Sequence, residues 1–254
     1  MKTSGNNPFW SLAFTFLLVA CAVPLSLVGK EQAQTLRSLP LNTLDGLDIH
    51  KFPETEDSIT ATSTIATYRG RRALRVVVAD GPPSPSATMT GGQALAVIKG
   101  WEFGNGSVEA DVAAVPREGT QSGSRGFAGI AFRGQDRGAH FEAIYLRMTN
   151  GRADDQVRRN HATQYVSEPD FPWHRLRDEN PGVYESYVDL DAGAWTHMKI
   201  VVAGTRAQLY VNGSSQPCLI VNDLKLGDSR GEVALWTGSD TEAYFSNLSM
   251  RAVE

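Results

Sequence analysis

The sequence predicts an all-β chain folded as a two-sheet antiparallel β-sandwich of the jelly-roll kind. Three observations carry that expectation. Apolar segments with β-branched and aromatic residues recur at short intervals between Gly- and Pro-rich turns. No helical period of useful length follows the N-terminal thirty or so residues. Hydrophobic residues make up 41 % of the chain and charged residues 20 %, enough apolar side chains for a packed core. The 254 residues suit one large domain or at most two small ones.

The elements follow in order. Met1–Asn7 is polar with one cation, Lys2, and the run from Phe9 to Val28 is almost wholly apolar. This reads as an export signal or an uncleaved anchor. Leu18-Val19-Ala20-Cys21 has the form of a lipobox, which would make Cys21 a lipidated first residue, whereas Ala20-Cys21-Ala22 suits ordinary signal peptidase. The expected divisions are a signal or lipoprotein signal over 1–29, a tether over 30–40 and a sandwich over 41–254. The protein is expected outside the cytoplasm: periplasmic, extracellular or lipid-anchored at the cell envelope. Membrane contact is expected only through a signal anchor or lipidated Cys21.

Strands are expected at Ala73–Val78, Ser107–Val115, Gly126–Arg133 and His140–Met148. Residues Gly81–Gly92 form a loop by composition. Further strands are Trp195–Ala203, Ala207–Val211, Gly231–Trp236 and Glu242–Arg251. Asn212-Gly213 supplies residues suited to the positive φ of a tight hairpin turn. Residues 149–183 show no sustained strand period and read as a long ordered loop, a feature that is usually functional inside a domain.

The charge balance excludes one class of partner and the cysteine count one kind of framework. Lys+Arg is 24 against Asp+Glu 28, a net charge of -4, which leaves no footprint for nucleic acid. Two cysteines, Cys21 and Cys218, exclude a multi-bridge framework. Cys218 reads as a packed strand residue. No metal set is assigned. Asp154-Asp155 with His161 would suit calcium in chemistry, but no cation-binding motif supports a cofactor.

The chain resembles the concanavalin A-like lectin/glucanase superfamily. The resemblance rests on Trp195-Thr196-His197-Met198-Lys199-Ile200, then Gly204, then Leu209-Tyr210-Val211-Asn212-Gly213. Gly231–Leu235, Tyr244–Leu248 and Phe103–Asp111 add to it. Within the superfamily, Gly129–Arg133 followed by His140-Phe141-Glu142 is similar to the 3-keto-disaccharide hydrolase type domain. Arg133 and Glu142 match that pattern, while Ala128, Ile144 and Arg147 stand where it has Ser, Gln and Asp. Glu109-Ala110-Asp111 opens like the family 16 glucanase strand but lacks the second Glu, which argues against a retaining pair of carboxylates.

The resemblance implies carbohydrate as the partner. Sugars are held by aromatic faces and planar polar groups, and the segment 147–185 is rich in both. Binding candidates are Arg133, Arg147, Arg158, Arg159, Asn160, Tyr165, Trp173, His174 and Arg175. The arginines also suit an anionic sugar. For the family chemistry, base-assisted cleavage of a 3-keto sugar, the acid–base candidates are Glu142, Asp154, Asp155 and His161. Glu142 reads either as a general acid or base on a concave face or as a carboxylate that is solvated or paired with Arg133. Three functions stay open at this point: a carbohydrate-binding module with a cleft lined by 147–185, a glycoside-cleaving enzyme of the keto-sugar type, and a structural adhesion domain.

Overall fold

Strands with one face in water alternate in polarity, and strands buried on both faces do not. Both kinds occur here, and they sort into two sheets. The computed structural model describes residues 1–2, 34–52, 59–79, 92–120 and 123–253. The apolar run from Phe9 to Val28, with Cys21, lies outside the described residues, as do 53–58 and 80–91.

In chain order the strands are β1 (Gln34–Leu39), β2 (Leu47–Phe52), β3 (Thr60–Tyr68), β4 (Arg71–Ala79), β5 (Gln93–Phe103), β6 (Asn105–Pro116), β7 (Phe127–Gln135) and β8 (His140–Arg147). A short helix α1 (Gln156–Asn160), strand β9 (Thr163–Glu168), helix α2 (Trp173–Glu179) and β10 (Glu185–Ser186) follow. The chain ends with β11 (Thr196–Ala203), β12 (Arg206–Val211), β13 (Leu219–Val221), β14 (Gly231–Thr237) and β15 (Thr241–Val253).

Among the described residues, one sheet has eight strands in the order β13-β12-β11-β6-β15-β4-β3, with β1 also paired to β15. The other has seven, in the order β10-β9-β8-β7-β14-β5-β2. Every strand pairing is antiparallel. The expected two-sheet antiparallel sandwich is the observed fold.

β4, β11 and β12 of the eight-stranded sheet alternate between buried and partly exposed positions. Their inward residues include Leu74, Val76, Ile200 and Leu209, which join the central core. The middle strands of the seven-stranded sheet contribute to two clusters. Ala96, Ile130, Ile144 and Leu235 face the central core, while Leu95, Ala131, Tyr145 and Trp236 pack on the opposite, outer face.

Two expectations about organisation are corrected. Residues 30–40 were expected as a tether, yet Gln34–Leu39 pairs with Leu248–Val253 as an edge strand. Backbone groups that pair along a free edge need little apolar content, so the polar run hid the strand. The segment 149–183 is not a loop, since it holds α1, β9 and α2. β9 was missed because Gln164, Ser167 and Glu168 interrupt its apolar pattern, although all six of its residues are buried. Asn212 and Gly213 do take positive φ, 52° and 73°. The next strand begins only at Leu219, so they open a longer connection rather than a two-residue hairpin.

One glycine is required by packing. Gly129 on β7 lies between Tyr145 of β8 and Trp236 of β14. A Cβ there would meet Ile144 O at 2.3 Å and Tyr145 Cβ at 2.6 Å. The gap lets the Tyr145 and Trp236 rings stack across it, with centroids 4.3 Å apart. Gly129→Ala is expected to cost about 1–3 kcal/mol, as overpacking does. Urea denaturation measures the loss, and near-ultraviolet circular dichroism reports the unstacked pair.

Candidate functional site

Cross-strand register lines up one row of side chains on the outer face of the seven-stranded sheet: Glu185, Gln164, Tyr145, Gly129, Trp236 and Leu95. Four residues along β9 from Gln164, Glu168 shares this face and sits opposite Phe141. Between these polar ends lies a floor of small apolar side chains, Ala131, Ala143, Ala234 and Val166.

Glu168 is the titratable group of most consequence on this face. Its side chain belongs to a residue only 4 % exposed. Trp236 Nε1 donates to Gln93 Oε1 at 2.6 Å, and Gln93 Nε2 donates to Glu168 Oε1 at 3.3 Å. An indole N–H can only donate, so it fixes the amide with its oxygen toward Trp236 and its nitrogen toward the carboxyl. Burial pushes the Glu168 carboxyl up to about 7, against a smaller downward pull from the Gln93 hydrogen bond. A carboxyl balanced near neutrality can take or give a proton.

The other end of the face is cationic and aromatic. Arg147 NH2 donates to Gln164 Oε1 at 2.8 Å and to the Tyr145 hydroxyl at 3.4 Å. Its NH1 donates to His161 O at 3.1 Å and to Glu185 Oε1 at 3.3 Å. Arg177 Nε reaches both oxygens of Glu185, at 3.0 and 3.1 Å. His161 Nε2 lies 3.1 Å from Glu185 Oε2. Arg177 and Arg147 sit over the Trp173 ring, at 4.7 and 5.9 Å from its centroid. Burial raises the pKa of the Tyr145 phenol, so it keeps its proton. Burial lowers that of His161, opposed by Glu185.

Comparison with known proteins places the chain in a family. The family model of the 3-keto-alpha-glucoside-1,2-lyase-like domain matches residues 43–251. The chain belongs to this family. The fold has solved counterparts at low identity. A protein of unknown function with galectin-like fold from Bacillus subtilis superimposes with a TM-score of 0.54 at 10 % identity, covering 88 % of this chain and 99 % of that one. The carbohydrate binding module CBM66 from Bacillus subtilis gives a TM-score of 0.46 at 15 % identity, covering 76 % of this chain and 95 % of that one. A prokaryotic beta-1,3-1,4-glucanase from a mouse hindgut metagenome gives 0.48 at 10 % identity, covering 87 % and 100 %. A search of curated proteins found no match.

In this lyase-like domain the residues expected from sequence separate into three groups. Arg147, His161 and Trp173 come together on the outer face. Arg133, Glu142 and Tyr165 do not, and all three are buried. Glu142 shares its strand face with Ile144 and Leu146, which point into the core, and it is 0 % exposed. Its Oε1 accepts from Tyr165 OH at 2.8 Å and Leu226 N at 3.1 Å. Tyr165, also 0 % exposed, presents no ring face to a ligand. At Arg133 a β-bulge with φ 55° turns the side chain inward. It donates to Gly104 O, Gly204 O and Gly227 O, with Glu142 Oε2 at 3.7 Å. Of the two readings of Glu142, pairing with Arg133 is the one observed.

The remaining candidates are spent on local structure or stand at the surface. Asp155 caps α1, accepting from Arg158 N at 2.7 Å. Asp154 is exposed on the approach to that helix. Asn160 Oδ1 accepts from Gln156 on the same helix, and Arg159 Nε donates to Ala153 O. Arg175 pairs with Glu179 one turn on and donates to Asp170 O. His174 packs edge-on against Trp173. Among the described residues no three His, Cys, Asp or Glu side chains are grouped to hold a metal, and Asp154, Asp155 and His161 are not brought together. Among the described residues no base is placed to activate Cys218. Its thiol lies 3.5 Å from Leu209 O, and burial pushes it up to about 11.

Sequence reading missed Glu168, Gln93, Tyr145, Trp236 and Glu185, while Arg177 was among the arginines it named for an anionic ligand. A usable signal was present for Gln93, Tyr145 and Trp236. β5, β7, β8 and β14 are apolar on both faces, which sets the outer side of this sheet apart from an ordinary solvated face.

Proposed function

We propose that the domain binds carbohydrate on the outer face of the seven-stranded sheet and cleaves glycosides carrying a ketone at C3. The observation that carries the reading is the Glu168 carboxyl, poised near neutrality beside aromatic side chains on a buried face. Membership in the lyase-like family supports it.

A C3 ketone acidifies the proton on C2. The Glu168 carboxylate takes that proton, and the electron pair flows through the enolate to form the C1–C2 double bond. The C1–O bond breaks, and the leaving oxygen takes a proton from the Tyr145 hydroxyl. The products are an alcohol and an unsaturated keto sugar. Proton return from Glu168 through solvent restores Tyr145. Arg147, against the phenol oxygen, favours the transient negative charge. A general base at this position is worth roughly 10²–10⁴ in rate.

Incubation of the purified protein with methyl 3-keto-α-glucoside, followed by mass spectrometry, tests the proposal. Time-dependent release of methanol and the unsaturated sugar is expected. Tight binding without release would leave a carbohydrate-binding module and remove the lyase. Neither binding nor release would remove both.

We also propose that the domain works outside the cytoplasm, on the strength of the apolar run Phe9–Val28 and the Leu18–Cys21 lipobox. The mass of the mature N-terminus, expressed in a bacterial host, distinguishes a lipidated Cys21 from plain cleavage. An unprocessed chain that stays in the cytoplasm would overturn export.

A further inference from the structure

Three arginines flank the short turn Met148–Asn150, where the outer face of the seven-stranded sheet ends. Arg147 immediately precedes the turn. Arg158 NH2 donates to Asn150 Oδ1 at 3.4 Å. Arg125 is tied to the turn through its backbone, with Thr149 N donating to Arg125 O at 3.0 Å. Asn150 and Arg147 both donate to His161 O, which locks the turn to the sugar-facing cluster.

Their charges are unequally matched. Arg147 shares Glu185 with Arg177 and His161, so one carboxylate serves two guanidiniums and an imidazole. The Asp155 carboxylate lies nearby but is committed to the α1 backbone. Among the described residues no acid acts on Arg125. Burial lowers its pKa, and repulsion from Arg158 and Arg147 adds to the shift. Arg158 Nε is buried and has no hydrogen-bond partner among the described residues. A buried, unpartnered guanidinium N–H is costly, and an anionic oxygen is the acceptor that best relieves it. Mutual repulsion among the three arginines is relieved by the same group.

We infer that Arg125 and Arg158 form an anion subsite beside Arg147, and that the sugar held on this face carries a carboxylate or a sulfate. The inference rests on the carbohydrate reading above and names the class of sugar. An oxygen of the anion accepts from Arg158 Nε, and Arg125 supplies the second cation. The guanidinium fork suits both anions, so the structure assigns the charge rather than its chemical source.

Isothermal titration with methyl glucuronide, glucose 6-sulfate and methyl glucoside tests the subsite. At least one anionic sugar is expected to bind 10-fold or more tighter than the neutral one, and the stronger of the two identifies the anion. The pair Arg125→Ala and Arg158→Ala is expected to bring that ratio close to one. Both residues are only half-buried, and circular dichroism confirms that the variant is folded. Arg125→Glu, a charge reversal, is expected to invert the preference. Equal affinity for all three sugars, or a preference that survives the double variant, would overturn the subsite. The parent reading is scored separately by turnover of neutral methyl 3-keto-α-glucoside. Turnover without anion preference removes only the subsite, and anion preference without turnover removes only the lyase.

Discussion

Glu168→Gln should abolish turnover of 3-keto-glycosides while leaving the domain folded. The amide keeps the shape of the side chain, and its oxygen still accepts from Gln93 Nε2, as Glu168 Oε1 does at 3.3 Å. What it loses is the capacity to take a proton. A loss of roughly 10²–10⁴ in kcat is expected, with KM little changed. The pH dependence follows from the direction of the shift. Burial raises the carboxyl to about 7, and the base must be ionised to act, so kcat/KM should rise with pH and level off above 7. An ordinary glutamate would level off near pH 5, about its unperturbed value of 4.3. Glu142→Gln is the control. Its carboxyl faces the core and Tyr165, and its replacement should leave most of the turnover in place.

The second large effect concerns stability. Arg133→Met should destabilise the fold by about 3–5 kcal/mol, the range seen when one partner of a buried charge pair is removed. Arg133 is 0 % exposed and is the largest fully buried side chain. It ties the β5–β6 junction at Gly104, the β11–β12 turn at Gly204 and the 222–230 connection at Gly227. Removing it strands those carbonyls and leaves Glu142 buried beside no cation. Burial already raises the pKa of Glu142, so part of the strain would be relieved by protonation. Equilibrium urea unfolding measures the loss. A change under 1 kcal/mol would mean the network is hydrated and carries little.

The fold was legible because it rests on turn chemistry and period. β11 and β12, with their Gly204 turn, and β15 near the C-terminus show clear alternation or dense apolar content. Strands β1, β2, β3, β5, β9, β10 and β13 were not expected: β1 is held mainly by ladder pairing, β13 is only three residues long, and the buried strand β9 carries polar side chains that break its apolar pattern. The site was legible only in part, for reasons that also lie in strand geometry. On β8 both parities are apolar: Phe141 and Tyr145 on one face, Ile144 and Leu146 on the other. Alternation alone then cannot say which face meets a ligand, and the prominent Glu142 fell on the inner one. At Arg133 parity would have pointed outward beside Ala131, and the bulge reversed it. Gln93, Glu168 and Trp236 come from three separate strands and are joined by hydrogen bonds that no local motif announces.

The central claim is that the outer face of the seven-stranded sheet, and no other, takes the sugar. Tryptophan indole N–H signals report on it directly in a nitrogen-15 NMR titration with a non-cleavable 3-keto C-glucoside. Trp236 and Trp173 lie on the proposed face, while Trp195 packs against Tyr68 on the other sheet. Movement of the Trp236 and Trp173 signals with a stationary Trp195 is the predicted result. A shift confined to Trp195, or no shift at saturating ligand, would contradict the account.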